Sequence, residues 1–335
     1  MTSVPAPTPV REPLSPPLLD AQGRTMTYLR LSVTDRCNFR CSYCSPASWG
    51  GKKDLLGPEE FERIVSVFAR MGLRRVRLTG GEPLLRPDIL DISRRISAVP
   101  GIGHVAITTN ASHLERLAVP LREAGVSQLN ISLDTLSEST FRSISRQGDF
   151  GATLRGIEAA VAAGYASLKL NVVVMRGVND EEVPALVSWA HERGLVPRFI
   201  ELMPFGQGTP VPTTELVERL RASGLSLTPE EEAQGDMAGP ARYWRAPGGR
   251  VGFISPLTQN FCGGCNRVRV ASNGDLRSCL GGRAQAPLHA LIRGGASDAE
   301  LALAIRRALG EKPEGHRFTE PGNASTLLPM MGIGG

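Results

Sequence analysis

The chain has 335 residues, 41% hydrophobic and 21% charged, with a net charge of +5. This is ordinary globular usage on a chain long enough to bury a large core, and it excludes wholesale disorder and fibrous repeats. No apolar run approaches the ~20 residues that span a bilayer, and the start lacks a secretory pattern. The expected setting is therefore the cytoplasm, with no membrane partner.

Residues 1–25 contain six prolines and no periodicity, and they read as a mobile tail. From Tyr28 onward, short apolar or β-branched runs alternate with longer helical patterns. Strands are expected over 28–33, 74–79, 104–109, 128–133, 168–175 and 197–202. Helices are expected near 58–71, 87–98, 113–124, 136–146, 151–163 and 180–193. Pro58-Glu59-Glu60 has the composition of a helix start. Gly125, Gly164 and Gly194 read as helix stops.

Repeated strand–helix alternation means parallel strands joined by crossover helices. Six such units suit an α/β fold built as an open, partial (β/α)6 barrel over 26–210, and a doubly wound sheet is the alternative. Either architecture puts active sites at the carboxyl ends of the strands. Over 211–335 the pattern changes. A helix near 213–223 gives way to a Gly/Pro-rich stretch, then to short strands at 250–255 and 267–271, a turn at Asn273-Gly274 and a helix near 297–309. This reads as a small α+β region closing the barrel mouth.

The six cysteines fall into two trios. Cys37, Cys41 and Cys44 have C-x3-C-x2-C spacing in the loop after the first strand. Cys262 and Cys265 form a CxxC pair, with Cys279 thirteen residues later. Structural zinc wants four closed ligands, whereas a four-iron cluster held by three thiolates leaves one iron free for a small molecule. For the second trio alone, zinc with a distant fourth ligand is an equal rival. Strand alternation puts Arg75, Arg77 and Thr79 on one face, and likewise Lys169 with Asn171 and Arg267 with Arg269. Several interior cations on one cavity would suit a triphosphate. Each, taken singly, can equally be a surface or salt-bridged residue.

The first trio, Gly80-Gly81-Glu82-Pro83 and Tyr43 together resemble the radical S-adenosylmethionine (SAM) enzymes. With the Phe261–Arg269 run, Asn130–Asp134, Cys279 and the terminal Gly334-Gly335, the chain is similar to the GTP 3′,8-cyclase family, which starts molybdenum cofactor biosynthesis. The resemblance covers roughly 26–335.

It implies two 4Fe–4S clusters, on Cys37, Cys41 and Cys44 and, as an auxiliary centre, on Cys262, Cys265 and Cys279. It implies SAM contacts at Tyr43, Gly81, Ser132 and Met203, and GTP contacts at Arg30, Arg77, Thr108, Lys169, Arg198, Arg267 and Arg269. A tail ending in Gly334 and Gly335 would reach the active site. The chemistry implied is abstraction of the 3′ hydrogen of GTP by a 5′-deoxyadenosyl radical, followed by closure onto C8. An external one-electron reductant is needed, and hand-off to a cyclic pyranopterin monophosphate synthase is expected. A homodimer is left open, and nucleic acid is not an expected partner. Two departures stand out: Ala111 replaces a usual glycine, and 45–56 lacks the family's common sequence. The alternatives are a peptide-modifying radical SAM enzyme and a basic zinc module that binds nucleic acid.

Overall fold

A computed structural model describes residues 17–44, 54–231, 239–318 and Met330. Gly334, Gly335, most of the divergent 45–56 loop and positions 1–16 lie outside the described residues.

Six parallel strands follow one another across the sheet: β1 (Tyr28–Thr34), β2 (Arg75–Gly80), β3 (His104–Thr109), β4 (Gln128–Ser132), β5 (Ser167–Val174) and β6 (Val196–Glu201). Between them run helices α1 (Pro58–Arg70), α2 (Ile89–Ser97), α3 (Leu114–Glu123), α4 (Glu138–Ser145), α5 (Phe150–Ala162) and α6 (Val183–Glu192). Local chemistry sets these boundaries. Pro58 opens α1, and Glu60 accepts a hydrogen bond from the Gly57 amide at 2.8 Å, which satisfies a donor left over at the helix start. The apolar residues Phe61, Ile64, Val65 and Phe68 recur at helical spacing and are buried.

Strand alternation then divides the sheet into two chemically different faces. Leu29, Leu31, Val76, Leu78, Ile107, Leu129, Ile131, Leu170 and Phe199 are buried in the continuous hydrophobic core. The alternate positions, Arg30, Arg77, Thr108, Asn130, Asn171 and Arg198, carry cations and amides. A barrel lumen filled by aliphatic side chains is a packed core. This one is polar along its length, as a ligand channel requires.

The C-terminal region closes the barrel by continuing the sheet at both edges. After α7 (Thr213–Ala222), β7 (Thr228–Pro229), β8 (Arg242–Ala246) and β9 (Gly249–Ile254) form a meander, and β9 pairs in parallel with β6. At the other edge, β10 (Arg267–Val270) pairs in parallel with β1, Tyr28 opposite Arg267 and Arg30 opposite Arg269. Strands β11 (Asp275–Arg277) and β12 (Ala286–Pro287) follow antiparallel. Helices α8 (Leu288–Arg293) and α9 (Asp298–Gly310) complete this edge.

One expectation is corrected. Residues 17–25, assigned to a mobile tail, pack against the fold. Leu18 is fully buried, and its carbonyl accepts from the Met26 amide at 2.8 Å. The prolines stop before this stretch, and a single apolar anchor on the core is enough to order it.

Candidate active site

The topology fixes where each cysteine trio lies. Cys37, Cys41 and Cys44 follow β1 and so stand at the carboxyl end of the barrel. Cys262 and Cys265 precede β10, which runs parallel to β1, so they stand at the amino end. Cys279 follows β11, which runs antiparallel to β10 with Arg277 opposite Arg269, and this returns it to the same end. The seven residues of β1 separate the ends by on the order of 20 Å, at about 3.3 Å per residue. A cavity of about 320 Å³ joins them, lined by Cys37, Cys41 and Cys44 at one end and by Cys262 and Cys279 at the other. Cys265 does not line it.

At the carboxyl end, Tyr43, Gly81, Ser132 and Met203 all line the cavity. Tyr43 is held by Asp134, which sequence reading placed in a motif but gave no role. The Tyr43 hydroxyl donates to Asp134 Oδ2 at 2.8 Å, and the Val173 amide donates to Oδ1 at 2.8 Å. Burial pushes the Asp134 carboxyl up to about 6 against those bonds. Glu82 is also buried. It accepts from Thr109 Oγ1 at 2.7 Å and from the amides of Asn110 and Leu84 at 2.8 and 3.0 Å, yet burial raises its pKa to about 7.

Gly80 and Gly81 are required by the chain's own packing. A Cβ on Gly80 would lie 2.1 Å from the Thr34 carbonyl oxygen, and one on Gly81 would lie 2.2 Å from that of Arg36. Both contacts fall on the backbone leading into Cys37. The glycines therefore let the end of β2 seat the cysteine loop.

Along the lumen, Arg30, Arg77, Thr108, Arg198, Arg267 and Arg269 line the cavity. Arg198, a less certain sequence candidate, is well fixed: its guanidinium donates to Asn171 Oδ1 and to Asn130 Oδ1, both at 2.6 Å. The Tyr28 ring carries the guanidinium carbons of Arg75 and Arg77 at 4.6 and 5.2 Å from its centroid. Buried Arg77 Nε and Thr108 Oγ1 have no hydrogen-bond partner. Buried donors of this kind fit an anionic ligand with many acceptors.

Lys169 does not line the cavity. Burial, then Arg198, Arg77 and Arg75, hold its amine down to about 7. The same crowding lowers Arg269 to about 10, with burial the largest cause and Arg267 next.

The donor chemistry of both trios fits iron–sulfur clusters. Burial pushes the Cys37 thiol up to about 11. Cys265 is also raised by burial, but Arg267 and Lys312 outweigh this and hold it down to about 6. Arg267 Nη2 lies 3.5 Å from the Cys265 sulfur. Among the described residues, no three His, Cys, Asp or Glu side chains converge on a single ion position. A cluster takes one thiolate per iron and needs no such convergence.

Sequence reading missed His316 and Phe318, which stack with centroids 4.4 Å apart on the cavity wall. No spacing signal marks either residue.

Residues 31–190 match the family model described as the radical SAM superfamily, and residues 196–318 match Molybdenum Cofactor Synthesis C. The fold agrees: Streptococcus suis SuiB bound to S-adenosylmethionine aligns with a TM-score of 0.58 at 16% identity, covering 88% of this chain and 76% of that one. The open barrel with a cysteine trio after its first strand is that of a radical SAM enzyme. The chain is 46% identical over 328 residues to GTP 3′,8-cyclase 1 of Pseudomonas aeruginosa, covering 95% of this chain and 99% of that one. It is 44% identical over 315 residues to the GTP 3′,8-cyclase of Rhodopseudomonas palustris, covering 90% of each. Within the superfamily, the chain belongs to the GTP 3′,8-cyclase family. Membership in the superfamily brings a 4Fe–4S cluster and SAM as cofactors.

Proposed function

We propose that this chain cyclises GTP between C3′ and C8, the opening reaction of molybdenum cofactor biosynthesis, and that its two trios divide the work. The observation that carries this reading is the placement of two three-cysteine sets at opposite ends of one cation-lined cavity. Cys37, Cys41 and Cys44 would hold the SAM cluster, and Cys262, Cys265 and Cys279 an auxiliary cluster. SAM on the first cluster supplies hydrogen-atom abstraction at C3′.

The protein's own contribution is placement. Tyr43, braced by Asp134, with Gly81, Ser132 and Met203, would orient SAM at the carboxyl end. Arg77, Thr108, Lys169 and Arg198, with Arg30, Arg267 and Arg269, would neutralise and orient the triphosphate. The guanine would then lie toward the amino-end trio. Fixing the nucleotide at several points holds C3′ toward SAM and C8 within reach of C3′, which lowers the entropic part of the barrier. The walls exclude water from reactive species. A buried lumen lined by cations disfavours an uncharged peptide segment, so the peptide-modifying alternative is set aside.

An external one-electron reductant would serve the reaction, and the product would pass to a cyclic pyranopterin monophosphate synthase. No helix among the described residues is long and apolar enough to cross a membrane. We assign the reaction to the cytoplasm.

Anaerobic incubation of the two-cluster protein with SAM, GTP and a reductant tests the reading. 5′-Deoxyadenosine and a cyclised, dihydro form of GTP are expected together. If two-cluster protein makes no 5′-deoxyadenosine, the assignment fails.

A further inference from the structure

Two buried cations outside the nucleotide site converge on the loops that carry the amino-end cysteines. Arg24 lies in the segment before β1, and its side chain is 9% exposed. Its Nε donates to Asp20 Oδ2 at 2.6 Å, and Asp20 is itself fixed by accepting from the amides of Gln22 and Arg24. The rest of the guanidinium donates to main-chain carbonyls at 2.7 Å each: Cys262 and Glu314 from Nη1, and Pro313 from Nη2. Lys312 follows α9 and is 3% exposed. Its ammonium donates to the carbonyl of Arg267, two residues past Cys265, at 2.8 Å, and to that of Ser278, the neighbour of Cys279.

We propose that Arg24 and Lys312 are positioning residues for the amino-end trio, setting the spacing of Cys262, Cys265 and Cys279 through their loop carbonyls. The inference rests on the reading that this trio binds an iron–sulfur cluster. Two observations support it. The five carbonyls bound belong to Cys262, Arg267, Ser278, Pro313 and Glu314, so one pair of cations spans both cysteine loops and the chain leaving α9. In addition, Lys312 has no carboxylate partner among the described residues, and a buried charge without a counter-ion is costly. Its nearby anions are Cys265 and Cys279 in their ionised form. Thiolates on a cluster would supply the missing negative charge, so the clamp is complete only when the cluster is bound. Such outer-shell partners typically change metal affinity 10–100-fold.

Lys312→Met and Arg24→Gln test this, each compared with wild type after anaerobic reconstitution. Three quantities are read: iron per chain, the electron paramagnetic resonance signals of the two clusters, and the melting temperature of the cluster-free protein. Lys312→Met is expected to lose the auxiliary signal and about half of the iron, or to release that iron to a chelator about tenfold faster. It should keep the SAM-sensitive signal of the first cluster and the melting temperature of the cluster-free protein. Lys312→Arg, which keeps the charge, should restore much of the iron.

Loading and release at wild-type levels in both variants overturns the proposal. So does equal loss from both clusters with a matching fall in melting temperature, because that describes a general structural role. If Lys312→Met does not fold, Arg24→Gln decides by the same readouts. A Cys262→Ser/Cys279→Ser variant that binds as much iron as wild type would instead remove the auxiliary-cluster reading itself.

Discussion

Replacing Lys169 with methionine should abolish a proton that the wild-type protein takes up when a nucleoside triphosphate binds. The amine is held down to about 7, from an ordinary 10.5, by burial and then by Arg198, Arg77 and Arg75. At pH 8 about nine-tenths of the free protein therefore carries neutral Lys169. A triphosphate placed among these cations cancels their repulsion and returns the amine to its charged form. The expected uptake is about 0.9 proton per bound nucleotide at pH 8 and about 0.5 at pH 7. The terminal phosphate, ionising near pH 6, is already charged at pH 8 and adds little.

Calorimetric titration with GTP, without SAM or reductant so that nothing turns over, measures this uptake. The apparent enthalpy in buffers of different ionisation enthalpy has a slope equal to the protons exchanged. Lys169→Met should give a slope near zero and bind at pH 7 roughly 10–100-fold more weakly, the equivalent of one lost charged hydrogen bond. Wild-type affinity should fall by up to about tenfold per unit as pH rises above 7. In the ligand-free protein the sign is that of a depressed amine. The residue's contribution to folding is complete above 10.5 and is lost as pH falls through about 7. A wild-type slope of zero at pH 8, or an unchanged slope in Lys169→Met, would refute the reasoning.

Gly81→Ala should displace the backbone at 34–36, because the new methyl would lie 2.2 Å from the Arg36 oxygen. A loss of about 1–3 kcal/mol in stability is expected, together with loss of first-cluster iron and of 5′-deoxyadenosine; full iron and SAM cleavage would show that the loop yields. Cys279→Ser should leave SAM cleavage partly intact but abolish cyclised product, and chromatography that finds equal loss of both contradicts the division between trios. Ala111, fully buried, sits at φ 65°, a left-handed conformation that strains an alanine by about 1–2 kcal/mol. Ala111→Gly relieves this but gives up a buried methyl, about 0.8 kcal/mol, and adds about 0.4–1 kcal/mol of unfolded-chain entropy. The melting temperature should therefore move by no more than about 2 °C. Ala111→Val, β-branched in the same backbone, should cost more than about 2 kcal/mol.

Much of the barrel was legible in the sequence. The strand at His104–Thr109 matches its expected span, and the other five barrel strands shift by only one or two residues at an end. The reason is local: each strand must bury one aliphatic side against helices, and this writes a period-two pattern over a few residues. The first cysteine trio is likewise a local object, complete within eight residues of one loop. The Gly80-Gly81 motif was visible too, but its reason was not. The sequence suggested room for a ligand, whereas the crowding comes from the Thr34 and Arg36 carbonyls. The short strand β8, Arg242–Ala246, was missed because Arg-Tyr-Trp-Arg-Ala shows no clean apolar alternation.

The sequence alone determined the alternation, the two sets of three thiols and the excess of arginine at inward strand positions, since each depends on neighbours in the chain. Only the tertiary structure decided that the trios occupy opposite ends of one lumen. That depends on β10 pairing in parallel with β1 across more than two hundred intervening residues, which no local pattern records. The same holds for Arg24, inside a stretch that reads as tail, and for Lys312 beyond the last helix. Their meaning lies in carbonyls of distant loops, and a main-chain acceptor leaves no mark in the residue that carries it.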